Sequence, residues 1–321
     1  MIKKLTPREL AAGRNVMKQC LTVKAGEKVL IVTDPARLDL AGIFETTAKE
    51  FTDKVEVISF TGQTENAQEP PSEVAAKMKA ANVALLVTSL SISHTQARKA
   101  ACSAGCRIAS MPTITRDIII RTLRSDYSEV ARLSRRLARI LTDGKNVRLT
   151  APGGTDLTLF LGNRRGDADT GQFIQPGDWG NLPAGEASIG PIEGTTQGIL
   201  VIDGALAEIE LDQPVIIRIK DGLAVDFRGG TAAQTFARLA DAAGPGGRAV
   251  AELGVGTNRL ARLSSNVLEA EKVYGTVHIA LGNNTSYGGT INVPFHTDGV
   301  IQSPTLTIDG RVIVRDNKVL I

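Results

Sequence analysis

The sequence predicts an α/β protein in two parts. A doubly wound, mostly parallel sheet domain comes first, followed by a β-rich, barrel-like α+β domain. Three observations carry this. Short apolar runs alternate with amphipathic stretches up to residue 141. The segment TDGK (142–145) is a helix stop and a turn. Beyond it, strand-length runs separated by Gly- and Asp-Gly-marked turns dominate. The expected domains are 1–144 and 145–321.

TPRELAAGRNVMKQCL has helical apolar spacing, with Thr6 as N-cap and Pro7 at the first helical position, where a missing N–H costs nothing. KVLIVTD (28–34) is an apolar run with a polar end, as in a buried parallel strand. LDLAGIFETTAKEF is a helix and VEVISF the next strand. PSEVAAKMKAA is helical, VALLVTS (83–89) a third strand, SHTQARKAACSAG a helix ending at Gly105, and CRIASMP a short strand. A basic amphipathic helix from Tyr127 to Leu141 closes this half. NVRLTAPGGTDLTLFLGN then reads as a hairpin around a Pro-Gly-Gly turn. Further strands follow, and one helix, TAAQTFARLADAAG, interrupts them.

Composition excludes several classes. A net charge of +3 is small for 321 residues, and the basic residues from Arg132 to Arg139 alternate with Leu and Ala. They read as the wet face of a helix, so no nucleic-acid partner is expected. No apolar run reaches the ~18 residues that span a bilayer, so no membrane is expected. The start, MIKKLTPREL, lacks the apolar stretch of a secretory signal. Cys20, Cys102 and Cys106 form no C-x-x-C pair and read as packed thiols of a reducing compartment. A soluble cytoplasmic protein is expected. G-x-G-x-x-G, the phosphate-binding G-x-x-x-x-G-K-[ST] and the G-x-S-x-G elbow are all missing, which argues against a nucleotide cofactor and a serine hydrolase.

The chemistry falls to acids and histidines of the second half. Of three histidines in the chain, two lie in GTVHIALGNNTSYGGTINVPFHTDG (275–299). His296 and Asp298 are two apart, so on a strand both point one way and can reach one metal ion. His278 shares a face with Thr276 and Ala280, whose small side chains leave room around the ring. For either histidine alone, a ring satisfied by a backbone carbonyl is the alternative. Glu252 lies among apolar residues in AVAELGVG, where a carboxylate needs a partner. Glu186 stands in the rigid loop NLPAGEASIGP. Together these five side chains could ligate two divalent ions such as zinc, cobalt or manganese. His94 follows the third strand at the sheet's carboxyl end, where it could bind substrate or pack at a helix N-terminus.

In order, N-L-P-x-G-E, x-E-L-G, G-T-V-H-I-A-L-G and G-G…H-x-D over residues 180 to 321 resemble the aminopeptidase T family of thermophilic metallo-aminopeptidases. The resemblance implies a metal-dependent aminopeptidase, a hydrolase and protease acting on peptide substrates as a homodimer. Glu186 would bind one of two metals and Glu252 lie between them; His278, His296 and Asp298 would complete the shells, Asp298 also as a bridge. Glu271 would bind metal or move protons, and Tyr287 would stand near the metals. Where the family's longer members carry a tyrosine seven residues beyond the first histidine, this chain has Thr285. The ring-cleaving 2,5-dihydroxypyridine dioxygenases resemble the same family and use one Fe(II) held by two His and one Asp. That mononuclear dioxygenase is the alternative, with a non-catalytic ligand-binding relative as the third reading.

Overall fold

The computed structural model describes residues 4–207, 209–264 and 266–321. The first three residues of the MIKKLTPREL start lie outside them. In chain order the first elements are α1 (Pro7–Asn15), β1 (Val29–Thr33), α2 (Leu38–Ala48), β2 (Val55–Ser59), α3 (Ser72–Lys79), β3 (Val83–Val87), α4 (Gln96–Ser103), β4 (Arg107–Ser110), α5 (Arg116–Thr122) and α6 (Tyr127–Asp143). Then come β5 (Asn146–Thr150), β6 (Asp156–Phe160), β7 (Asp167–Asp169), β8 (Trp179–Asn181), β9 (Glu186–Ile189), β10 (Gln197–Ile202), β11 (Ala205–Leu206), β12 (Val215–Lys220), β13 (Leu223–Arg228) and α7 (Gly230–Ala242). The last are β14 (Val250–Gly256), β15 (Val277–Gly282), β16 (His296–Ile301), β17 (Thr305–Ile308), β18 (Arg311–Arg315) and β19 (Lys318–Val319).

The α/β fold class follows directly from these elements. Thr6 caps α1 in a full capping box: its hydroxyl accepts from the Glu9 N–H, and the Glu9 carboxylate accepts from the Thr6 N–H. Gly105, with φ +96°, turns the chain just beyond α4. The strands of the first half form a parallel sheet in the order β2-β1-β3-β4-β8. β1 and β3 are buried throughout, as their unbroken apolar runs require.

Two antiparallel sheets make the β-rich part. The larger runs β13-β12-β10-β6-β5-β17-β18-β19, the smaller β11-β16-β15-β14-β9-β7. In β5, β6 and β12 buried and exposed residues alternate, so one face packs inward and the other meets water. Their inward Val147, Leu149, Leu157 and Ile217 join Leu253, Val255, Val277 and Ile279 of the smaller sheet in one core. The apolar stripe of α6 (Leu133, Leu137, Leu141) and Phe236 of α7 close it. β14 and β15 are buried along their whole length, so their second face, away from this core, is also sheltered.

Two compact units result: Met1–Glu129 with Gly171–Ala184, and Val130–Thr170 with Gly185–Ile321. The sequence reading draws a single break at 144/145. The units differ from that because α6 buries its stripe in the second core, and because Gly171–Ala184 carries β8 back to the edge of the first sheet. Among the described residues no helix is long and apolar enough to cross a membrane.

Candidate metal centre

The sheltered face of the smaller sheet is built rung by rung. On β14 the residues pointing away from the core are Glu252, Gly254 and Gly256; on β15 they are His278, Ala280 and Gly282; on β16, His296, Asp298 and Val300. Register aligns Asp298, Ala280 and Glu252 on one rung, and Val300, His278, Gly254 and Ser188 on the next. Glu186 lies opposite Gly256 and Asp169 opposite Glu186. Large donors thus alternate with glycine and alanine, and the small residues let the long side chains lean across. Gly254 shows how tightly: a Cβ there would lie 2.0 Å from His278 Nε2.

All five expected ligands converge. His278 Nε2 lies 3.2 Å from Glu186 Oε2 and 3.6 Å from Glu252 Oε1. His296 Nε2 lies 3.0 Å from Glu252 Oε2 and 3.6 Å from Asp298 Oδ1. The donors form two sets, Glu186–Glu252–His278 and Glu252–His296–Asp298, each with its ligand atoms within 4.8 Å of one another. Glu252 belongs to both, so its carboxylate is the hub.

The electrostatics fit a cation. His296 Nδ1 sits 2.8 Å from the carbonyl oxygen of Asn283, which can only accept, so that nitrogen holds a proton and donates. On a neutral ring Nε2 then turns a lone pair toward the Glu252 carboxylate, which needs a proton or a metal ion between them. Glu186 Oε2, both ring nitrogens of His278 and Asp298 Oδ1 are buried without a well-formed hydrogen bond. Unsatisfied buried donors and acceptors are costly unless an ion completes them. Burial would raise the Glu252 carboxyl, but the His296 contact and the charge of both imidazoles overcome it and hold the group well below the usual carboxylate range. Burial would lower both imidazoles; Glu186 and Glu252 instead lift His278, and Asp298 and Glu252 lift His296. The residues present therefore fit a divalent ion, which would replace those protons.

The other expected residues fall as follows. The Tyr287 ring stacks on His296, with centroids 5.5 Å apart. Burial, then the charges of Glu252, Asp298 and Glu186, push its phenol well above the ordinary value. Its turn is pinned by Asn284, whose carbonyl accepts from the Tyr287 N–H at 3.0 Å and whose amide donates to Glu193 at 2.7 Å. Glu271 lies beside the cluster, and burial pushes its carboxyl up to about 8. His94 belongs to the first unit, is exposed, and meets the Trp179 ring edge-on at 6.0 Å.

Sequence reasoning missed Lys272. Its side chain is 3% exposed, and its ammonium pairs with Glu186 and Glu271 at 2.7 Å and Asp169 at 3.3 Å. The adjacent Glu271-Lys272 had the pattern of a surface ion pair. The signal it offered was its place shortly before the strand-like run GTVHIALG.

The family model for 2,5-dihydroxypyridine 5,6-dioxygenase matches residues 9–321. The fold is similar to that of 2,5-dihydroxypyridine dioxygenase from Pseudomonas putida KT2440, with a TM-score of 0.81 and 17% identity over 99% of this chain and 98% of that one. It is also similar to wild-type AmpT from Thermus thermophilus, with a TM-score of 0.71 and 15% identity over 98% and 99%. No curated protein sequence matches. The resemblance to the aminopeptidase T family thus holds for the fold. The family match overturns the expectation of a metallo-aminopeptidase, and with it hydrolase and protease: it points to ring-cleaving oxygen chemistry. Sequence motifs led elsewhere because donors alone do not name the reaction.

Proposed function

Because this chain belongs to the 2,5-dihydroxypyridine 5,6-dioxygenase family, we propose that it opens a hydroxylated nitrogen-containing aromatic ring with dioxygen at one ferrous ion. The observation that carries this is the pair of imidazoles, His278 and His296, facing one carboxylate hub with Asp298 alongside, in a chain that matches the family almost end to end. The Glu252–His296–Asp298 set, with His278 across the Glu252 hub, would hold the ion; two imidazoles with carboxylates suit Fe(II). When bound, iron supplies the one-electron chemistry that lets dioxygen react with a closed-shell ring.

The protein groups do the rest. His296 is fixed by its Nδ1 bond to Asn283 and by the Tyr287 ring, so Nε2 keeps its aim. Glu252 stays ionised and offsets positive charge at the hub. Tyr287, a neutral phenol, serves as a hydrogen-bond donor and a flat wall for an aromatic ring. Glu271, whose carboxyl burial pushes up to about 8, suits exchange of a proton with a ring hydroxyl.

The test is anaerobic loading with Fe(II), followed by oxygen-uptake measurements with 2,5-dihydroxypyridine and related dihydroxypyridines. One dioxygen should be consumed per ring lost, with both labelled oxygen atoms found in the product, and His296→Ala should abolish uptake. Iron-loaded protein that consumes no oxygen with any of them would refute the proposal.

A further inference from the structure

Lys272 divides the donor sets unequally. Its three N–H bonds meet three carboxylates, those of Glu186, Glu271 and Asp169. Its backbone is anchored at both ends: the N–H donates to the Glu269 carbonyl at 3.0 Å, and the carbonyl accepts from the Asn258 N–H at 2.8 Å. The ammonium has no cheap way out to water. Glu186 is split by it, with Oε1 on Lys272 at 2.7 Å and Oε2 toward His278. Among the described residues, no lysine or arginine pairs with Glu252 or Asp298. One donor set is therefore backed by a fixed positive charge, and the other is not.

We infer that Lys272 is a positioning residue whose ammonium takes the place a second metal ion would need beside Glu186, so that the site loads one divalent ion. The inference rests on the proposal that this site binds metal. A cation at the Glu186 set would meet an ammonium already bonded to its own ligand, and like charges at that range repel strongly in a buried site. With Glu186 held, His278 is left to join His296 and Asp298 at a single ion. Removing the ammonium but keeping its bulk would free Glu186 Oε1 and leave buried carboxyl oxygens without their cation, which a second ion would bind.

The test uses Mn(II) as the probe, on the full chain, with metal content by mass spectrometry and electron paramagnetic resonance of the bound ion. The wild type should bind about one ion with an isolated-ion spectrum. Lys272→Met should bind about two, with the altered spectrum of a spin-coupled pair, and Lys272→Arg should restore one. Lys272→Gln, also uncharged, should likewise bind about two; if neither variant folds, the wild-type count and spectrum still decide the matter. Two ions in the wild type, or one ion in a folded Lys272→Met or Lys272→Gln, would each overturn the inference. A wild type that binds no ion would instead sink the metal proposal beneath it.

Discussion

Gly254→Ala is the smallest change that should disable the centre while sparing the fold. The added Cβ would lie 2.0 Å from His278 Nε2 and 2.2 Å from Cε1. To reach ordinary contact at 3.4 Å the ring must retreat by about 1.4 Å. Metal–ligand bonds tolerate only ~0.2 Å, so His278 would drop out of the shell. Loss of one ligand should weaken divalent-ion binding by at least about 100-fold, or roughly 2.7 kcal/mol. Apo stability should fall by about 0–2.5 kcal/mol. Overpacking costs about 1–3 kcal/mol, and replacing a strand glycine returns about 0.5–1 kcal/mol through backbone entropy. Titration calorimetry with Mn(II), beside a thermal melt of the apo protein, separates the two effects. A folded Gly254→Ala protein that binds the ion within threefold of wild type would show that His278 does not ligate from this rung.

Other expectations follow from the same geometry. Tyr287→Phe keeps the ring stack and removes the phenol, so metal content should hold while kcat for ring opening falls about 10- to 100-fold, measured by oxygen uptake. His278 and His296 have raised values without metal, so their contribution to apo stability is complete below the unfolded value of about 6.5 and is lost as pH rises through the folded values. Apo melts should therefore fall with rising pH, by up to about 1.4 kcal/mol per unit per histidine, and metal-loaded melts should not. Ion binding should release protons, seen as a buffer-dependent calorimetric heat. Burial pushes the Cys106 thiol up to about 12 and raises Cys102. At pH 8 a disulfide reagent should label at most Cys102 in the native protein, and all three cysteines after denaturation.

The convergence of the candidate ligands was partly legible because strand periodicity is two. His296 and Asp298 had to share a face wherever the strand lay, and Glu252 amid apolar residues had to have a partner. The parallel sheet was legible from its apolar runs. β8 was not: Trp179–Asn181 is three residues among turn formers, with no periodicity to read. Asp169 was hidden likewise in the polar stretch RRGDADTG, and its meeting with Glu186 depends on a short cross-strand pairing. The role of Lys272 arises only when distant acids fold onto it. The reaction class came from the family match, because one set of nitrogen and oxygen donors can serve hydrolysis or oxidation.

The excursion of Gly171–Ala184 has a genetic consequence. Neither compact unit is encoded by one uninterrupted stretch, since the first resumes at 171 after stopping at 129, and the second is split around that return. A single crossover between related genes, made at 130, would give a hybrid whose first sheet takes its edge strand from the other parent. Exchange of a whole half would need three breakpoints at once. Relatives built on this scaffold should therefore diverge mainly by point changes and loop edits, and chimaeras made with one junction should fold worse than those that carry the returning segment with its sheet.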